Sequence, residues 1–331
     1  MSVVPAAAPP AAVAPMPALL SRERAILEFN RRVLAQARRA DVPLLERLRY
    51  VCIVSSNMDE FFEVRFADFI EIVRNDSAAR RDLEATAALA HELIDEQYAT
   101  FNDEVMPQLQ RAGIVILNHA DRDAAQRAWV DDFFQKQVRP LLVPVGLDPS
   151  HPFPQVANKS LNFIVRLAGR DAFGRENTIA IVKVPRVLPR VMRLPDRLAG
   201  PGRQAFVLLT SVIRAHLAEL FPGREVEVFS QFRVTRDSDL EVDEDDVTNL
   251  RQALRSGLTR RHFGEAIRLE VVKTCPDELA LLLLQQFGLP DAALYRVNGP
   301  VNLVRLNQLI ELADDTAAGA ALRFPPHEPM W

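Results

Sequence analysis

An all-α N-terminal domain followed by an α+β domain is the fold class this sequence predicts. Three observations point to it. Apolar residues recur at steps of three and four from Ser21 to about residue 112. Gly113 then closes that stretch, where a helix end commonly needs a left-handed residue. Beyond it, short strand-like apolar segments alternate with helical ones. The 331 residues, 48% of them hydrophobic, exceed one typical domain and suffice for two packed cores. The expected organisation is a disordered Pro/Ala-rich tail over 1–20, the all-α domain over 21–112, the α+β domain over 113–313, and a linker over 314–331.

The tail carries five prolines and no basic region ahead of its apolar residues, so neither a secretory signal nor a spanning helix is expected there. Ser21 can cap the first helix, with Glu23 in its first turn and Ile26, Phe29, Val33 and Ala37 as its buried stripe. Asp41-Val42-Pro43 interrupts and restarts the chain, because proline suits a first helical turn; Leu44, Leu45, Leu48, Val51 and Cys52 line the next face. Phe62, Phe66, Phe69, Ile70 and Val73 form a third stripe. A fourth, longer helix carries Leu83, Ala87, Ala90, Ile94, Tyr98, Phe101 and Val105.

After Gly113, Ile114 to Leu117 reads as a short strand and Asp121 to Phe134 as a helix. Ser160 to Leu167 and Thr178 to Val184 read as an antiparallel hairpin with a longer connection. Helix is expected for Phe206 to Phe221, strand for Val226 to Thr235, helix for Val247 to Leu258, strand for Ile267 to Val272 and helix for Asp277 to Phe287. No internal repeat of fixed period is visible.

A formal net charge of −4 gives no global argument for nucleic acid as a partner. Cys52 and Cys275 lie in apolar contexts without a CxxC partner, as buried thiols of a reducing compartment do, so no structural disulfide is expected. No apolar run reaches the roughly 20 residues of a membrane helix. The expected location is the cytoplasm, with peripheral membrane association left open.

Several segments imitate functional motifs and fail on chemistry. GRDAFGRE, at Gly169 to Glu176, has P-loop glycine spacing, yet Arg175 and Glu176 replace the lysine and the magnesium-ligating hydroxyl, and a helix does not follow. DSDLEVDEDD, at Asp237 to Asp246, has partial EF-hand spacing, yet Val242 stands where glycine is needed and Thr248 where the bidentate glutamate belongs. The arginine clusters at 186–193 and 255–261 read as solvated faces, with phosphate as the natural ligand should either bind one. The six histidines, at 91, 119, 151, 216, 262 and 327, show no metal spacing, and no Gly-x-Ser-x-Gly elbow occurs.

The densest polar cluster in an apolar setting is VSSNMDEFFEVRF, Val54 to Phe66. The residues alone leave two roles open for Asn57. It can cap a helix beginning at Met58, with Glu60 as capping-box partner and Asp59 in the first turn. Alternatively its amide, one donor side and one acceptor side, can meet the edge of a purine.

The stretch SRERAILEFNRRVLAQARRADVPLLERLRYVCIVSSNMDEFFEVRF resembles the N-terminal signature of the polyphosphate kinases. HPFP (His151 to Pro154), SLNFIV (Ser160 to Val165), FRVTRDSDLEVDE (Phe232 to Glu244), EAIRLEV (Glu265 to Val271) and LYRVNGPVNL (Leu294 to Leu303) are similar too, in the family's order. The resemblance spans residues 21 to about 312, with one departure: Ile26 stands where many members carry tryptophan.

The resemblance implies a helical domain and a mixed head, or middle, domain with dimer contacts. It places Asn57 against the adenine of ATP. It also implies an enzyme that reversibly transfers the terminal phosphoryl of ATP to inorganic polyphosphate through a phosphohistidine, as a dimer or higher oligomer binding ATP or ADP. The phosphorylated histidine, the arginines and the magnesium ligands belong to the family's other half, so no catalytic residue and no metal ligand is expected in this chain, which alone should be inactive. The alternative is a stand-alone, non-catalytic dimerisation module.

Overall fold

The computed structural model describes residues 20–75, 79–147, 152–170, 179–237, 264–314 and 317–325. The expected tail up to residue 19, residues 171–176 of the P-loop-like segment, the acidic stretch after Asp237, the expected helix Val247 to Leu258 and the second arginine cluster lie outside the described residues.

Helix α1 (Arg22–Ala37) begins where Ser21 accepts a hydrogen bond from the Arg24 amide at 3.3 Å. Its buried face is Leu27, Asn30, Leu34 and Ala37, one residue round from the predicted stripe, and Phe29 stays 50% exposed. Both faces are apolar enough to pack, and the neighbouring helix selects between them. Helix α2 (Leu44–Glu60) packs against α1, and Arg47 on it donates to the Ala37 carbonyl at 2.5 Å, satisfying an orphan group at the end of α1.

Helix α2 does not stop at Asn57. It runs without a break into a π-helical turn over Phe61–Phe66 and on into α3 (Ala67–Asn75). The wider turn brings Phe61, Phe62 and Phe66, spaced i, i+1 and i+5, onto one buried face, with ring centroids 5.2 to 5.7 Å apart. Helix α4 (Arg80–Ala99) continues through a second π turn (Thr100–Val105) into α5 (Met106–Arg111).

Gly113 then takes φ +85°, and a Cβ there would lie 2.7 Å from the Gly202 carbonyl oxygen. Gly113→Ala is therefore expected to cost about 2 kcal/mol or more, the left-handed penalty plus a backbone clash. Urea unfolding checks this against Gly202→Ala, where φ is +67° but the space is open, so the loss should be smaller.

Two sheets follow. In the smaller, β1 (Ile114–Ile116) pairs parallel to β6 (Gln204–Leu208), which pairs antiparallel to β5 (Val191–Arg193). Phe206 to Leu208, expected as the start of a helix, are thus strand; α8 begins at Leu209 and runs to Ala215. Phe206 is paired on both sides, with Ile116 and Arg193, and Val207 and Leu208 are paired with β5, so tertiary pairing overrides the local pattern. Between β1 and the larger sheet, α6 (Ala124–Phe133) opens on a capping box of Asp123 and Gln126. A short helix, α7 (Asp196–Ala199), joins β5 to β6.

The larger sheet has the order β2-β4-β3-β7-β8-β9, where β2 is Val143–Gly146, β3 Asn162–Ala168, β4 Ile179–Lys183, β7 Glu225–Arg236, β8 Ala266–Val272 and β9 Leu294–Val297. The predicted hairpin is the antiparallel pair β3 and β4. Among the described strands of this sheet only β8 and β9 are parallel neighbours, joined by α9 (Asp277–Phe287), whose bounds are those expected from sequence. Side chains alternate between the two faces: Phe163, Val165 and Leu167 join the core shared with the helical domain, while Ile164, Phe232, Val234, Leu269 and Val271 pack under α9.

Helix α10 (Asn307–Asp314) and a last short turn, α11 (Ala317–Ala320), follow. Within the expected linker, Leu322 and Arg323 reach α2: the Leu45 amide donates to the Leu322 carbonyl at 2.9 Å, and Arg323 reaches Glu46 at 3.3 Å. Cys52 and Cys275 are buried and unpaired, and no helix among the described residues is long and apolar enough to cross a membrane.

Candidate functional site

Because α2 continues through residue 60, Asn57 is no cap. A cap must leave helical φ/ψ for its side chain to reach an orphan amide. Here the Phe61 amide already bonds the Asn57 carbonyl, and the first-turn roles expected for Asp59 and Glu60 disappear with the cap. Asn57 instead stands on the side of α2 facing α1, where its Nδ2 donates to Asn30 Oδ1 at 2.8 Å. Asn30, 1% exposed, gives its own Nδ2 to the Ile26 carbonyl at 3.0 Å.

That chain orients both amides. A backbone carbonyl can only accept, so Asn30 must turn its amide nitrogen to Ile26 and its oxygen to Asn57; Asn57 must then donate, which leaves its Oδ1 as the spare acceptor. Ile26, Phe29, Asn30, Asn57, Glu60, Phe61, Val64 and Arg65 line a cleft of about 270 Å³ at this point. The half-exposed Phe29 and the aliphatic Ile26 and Val64 supply apolar surface, and Glu60 and Arg65 one charge of each sign.

Asp59 and Glu63 instead turn to the α+β domain. Asp59 receives a bidentate fork from Arg233 (2.8 and 2.9 Å) and a further bond from Arg268 at 2.6 Å. Both arginines also contact Glu270, and Arg268 reaches Thr235 Oγ1 at 3.1 and 3.2 Å. Strand register builds the cluster, since Arg233 lies opposite Glu270 and Thr235 opposite Arg268 on β7 and β8. The Arg268 guanidinium stacks 4.4 Å from the Phe62 ring centroid. Burial would push the Asp59 carboxyl up, but Arg233 and Arg268 outweigh it and hold it below the usual carboxylate range. One turn on, Glu63 accepts from Asn158 at 2.6 Å and from Lys159 at 2.5 Å.

The interdomain roles of Arg233, Arg268 and Glu270 escaped the sequence reading, although a signal was present. Each is a charge inside an otherwise apolar strand, in FRV and in AIRLEV, where a half-buried strand would show polar residues only on a solvent face.

Two of the three described histidines, His91 and His216, have structural surroundings. His91 stacks on Tyr295 with centroids 3.8 Å apart, and His216 is held between the Val212 carbonyl and Asp131, each at 2.9 Å. Among the described residues no group of three or more His, Cys, Asp or Glu could hold a metal ion, and Asp59 and Glu270 are already bound by arginines. The first arginine cluster is only in part the solvated face expected: Arg186 is exposed and donates to the Asn158 carbonyl at 2.5 Å, Arg193 pairs with Asp196 at 2.8 Å, and Arg190 is buried.

Comparison with known proteins adds to this geometry. Residues 19–117 match the polyphosphate kinase N-terminal domain, and residues 125–309 the polyphosphate kinase middle domain. The chain is 50% identical over 319 residues to a polyphosphate kinase of Neisseria gonorrhoeae, covering 94% of this chain and 46% of that protein. It is 47% identical over 304 residues to one of Burkholderia multivorans, covering 89% and 44%. The crystal structure of polyphosphate kinase from Porphyromonas gingivalis superposes with a TM-score of 0.76 at 25% identity, over 94% of this chain and 43% of that one. The chain thus spans less than half the length of the relatives it matches. Its helical domain, its two-sheet α/β domain and these matches place it in the polyphosphate kinase family, as that family's N-terminal and middle domains.

Proposed function

We propose that this chain supplies base recognition and interdomain scaffolding to a polyphosphate kinase that moves the terminal phosphoryl of ATP onto inorganic polyphosphate. Phosphoryl transfer needs a nucleophile together with cationic groups or metal ions around one transition state. The described residues offer no such set, so the chemistry, with any phosphohistidine and magnesium, is assigned to the remainder of the family's length. In this reading the chain alone is inactive, and the complete enzyme assembles as an oligomer.

The observation that carries base recognition is the spare acceptor of Asn57. With one Nδ2 hydrogen held by Asn30, Oδ1 suits the 6-amino group of adenine, a donor, and the second Nδ2 hydrogen suits an adjacent ring nitrogen; guanine presents an oxygen opposite Oδ1, and two acceptors repel. The 270 Å³ of the cleft is just below the roughly 300–1,000 Å³ of drug-sized sites, room for a base beside Phe29 and not for a whole nucleotide. Affinity in the isolated chain is therefore expected to be weak.

Binding calorimetry of this chain with ATP and GTP tests the reading. ATP should bind about tenfold tighter than GTP, the scale of one hydrogen bond against one unpaired acceptor. Asn57→Ala should remove most of that preference, and Asn30→Ala should narrow it by freeing the Asn57 amide to turn over. Equal ATP and GTP affinities in the parent chain, or an unchanged ATP affinity in a folded Asn57→Ala variant, would refute it.

A further inference from the structure

Arg190, the residue before β5, is 9% exposed and makes no side-chain hydrogen bond or ion pair among the described residues; its Nη1 is buried without a partner. The surrounding backbone is firmly held, because the Gln308 side chain accepts from the Arg190 and Val191 amides at 2.7 and 3.2 Å. Burial, then the charges of Arg305 and Arg186, push the Arg190 guanidinium down to about 10, so it remains charged at neutral pH. A buried cation beside like charges, with no anion to offset it, is costly in a folded chain.

Arg190 lines a cavity of about 30 Å³ together with Lys159, Thr210, Asn302 and Arg305. Lys159 is neutralised by Glu63, whereas Arg190 and Arg305 have no carboxylate among the described residues. Asn302 is held at φ +71° with its side-chain oxygen buried and unpartnered; the reversed amide would place a donor at that spot. The volume matches about two waters or one small tetrahedral anion, and is too small for a nucleoside. Leu208, Thr210 and Pro300 also line a larger cleft of about 590 Å³ that contains Arg214 and Glu227, so the two spaces share a wall.

We propose that Arg190, Arg305 and Asn302 form a binding site for one phosphate group, either orthophosphate or one unit of a polyphosphate chain, separate from the Asn57 cleft. Two guanidinium forks and an amide offer more donors than the two oxygens of a single carboxylate can use, and they match a tetrahedral oxyanion. The choice of polyphosphate as the longer probe rests on the proposed function, whereas the orthophosphate arm stands without it.

The test is calorimetry and thermal unfolding of the 331-residue chain with orthophosphate, tripolyphosphate and, as a dicarboxylate control, succinate. Saturable phosphate binding is expected, weakened at least tenfold in Arg190→Met and several-fold in Arg305→Gln. Without anion, Arg190→Met should melt no lower than the parent, because an unpaired buried charge is replaced by an apolar chain of similar length. Arg305 is exposed, so its variant remains informative if Arg190→Met fails to fold. Tripolyphosphate binding tighter than orthophosphate would identify the polymer as the source, and equal binding the free anion.

No saturable effect of either phosphate, or equal affinities in parent and both variants, would overturn the site. Succinate binding as tightly as phosphate would overturn the phosphate assignment in favour of a protein carboxylate. Asn57→Ala should leave phosphate binding unchanged, so failure here and failure of base recognition are read separately.

Discussion

Asp59→Ala is expected to destabilise the chain by about 3–5 kcal/mol, because it strands two buried guanidiniums that now share one carboxylate. Arg233 and Arg268 are 2% and 1% exposed, so water cannot replace the lost anion, and Glu270 cannot neutralise both. Urea unfolding followed by circular dichroism measures the loss; a change under about 1 kcal/mol would show that the cluster relaxes or hydrates on losing Asp59. Replacing all four charges at once, Asp59→Leu, Arg233→Met, Arg268→Met and Glu270→Leu, should cost much less than the single change, since paired burial is nearly balanced by its desolvation.

The cluster also has a pH signature. The folded-state Asp59 carboxyl titrates below its unfolded value, so its contribution is complete above the unfolded pKa of about 3.9 and is lost as pH falls through the lower, folded value. Parent and Asp59→Ala unfolding free energies should therefore converge as the solution is acidified below about pH 4 and stay apart at neutral pH.

Phe62→Ala carries the second large expected effect, about 3–5 kcal/mol and toward the upper end. Phe62 is fully buried, meets Phe61 and Tyr295 edge-on at 5.2 Å, and lies beneath the Arg268 guanidinium. It also lines a mainly apolar cavity of about 190 Å³ with Phe66, Ile70, Leu83 and Tyr295. Removing the ring enlarges a space that already exists, and such a site cannot collapse to recover contacts. Thermal and urea unfolding check it, and a loss near 1 kcal/mol would mean that the neighbouring rings close over the gap.

Both predictions fall within one thirteen-residue stretch, and the contrast between its residues shows how far local reading extends. Phe62 belongs to a stripe visible in the sequence, because helical periodicity is a property of neighbouring residues. The π turn that adds Phe61 to the same face was not visible, since the spacing i, i+1 and i+5 of the three rings is not a helical period. Asn57 was read as cap or ligand contact; the cap fails because tertiary packing carries the helix on past it. Asp59 was read as a first-turn charge, yet its partners are 174 and 209 residues away. No local pattern encodes that distance.

By itself the sequence determined the two-part fold, the helix and strand periods, the hairpin of β3 and β4, the bounds of α9, and the family resemblance that singled out Asn57. These rest on interactions within a few residues or on motifs that survive as strings. The tertiary structure alone decided which face of α1 is buried, which way the Asn57 amide points, how Asp59 pins the two domains together, and that Arg190 is enclosed rather than solvated. The reason is physical. A polar or charged group takes its role from the partner that compensates its burial, and in this chain those partners come from distant segments brought together only by folding.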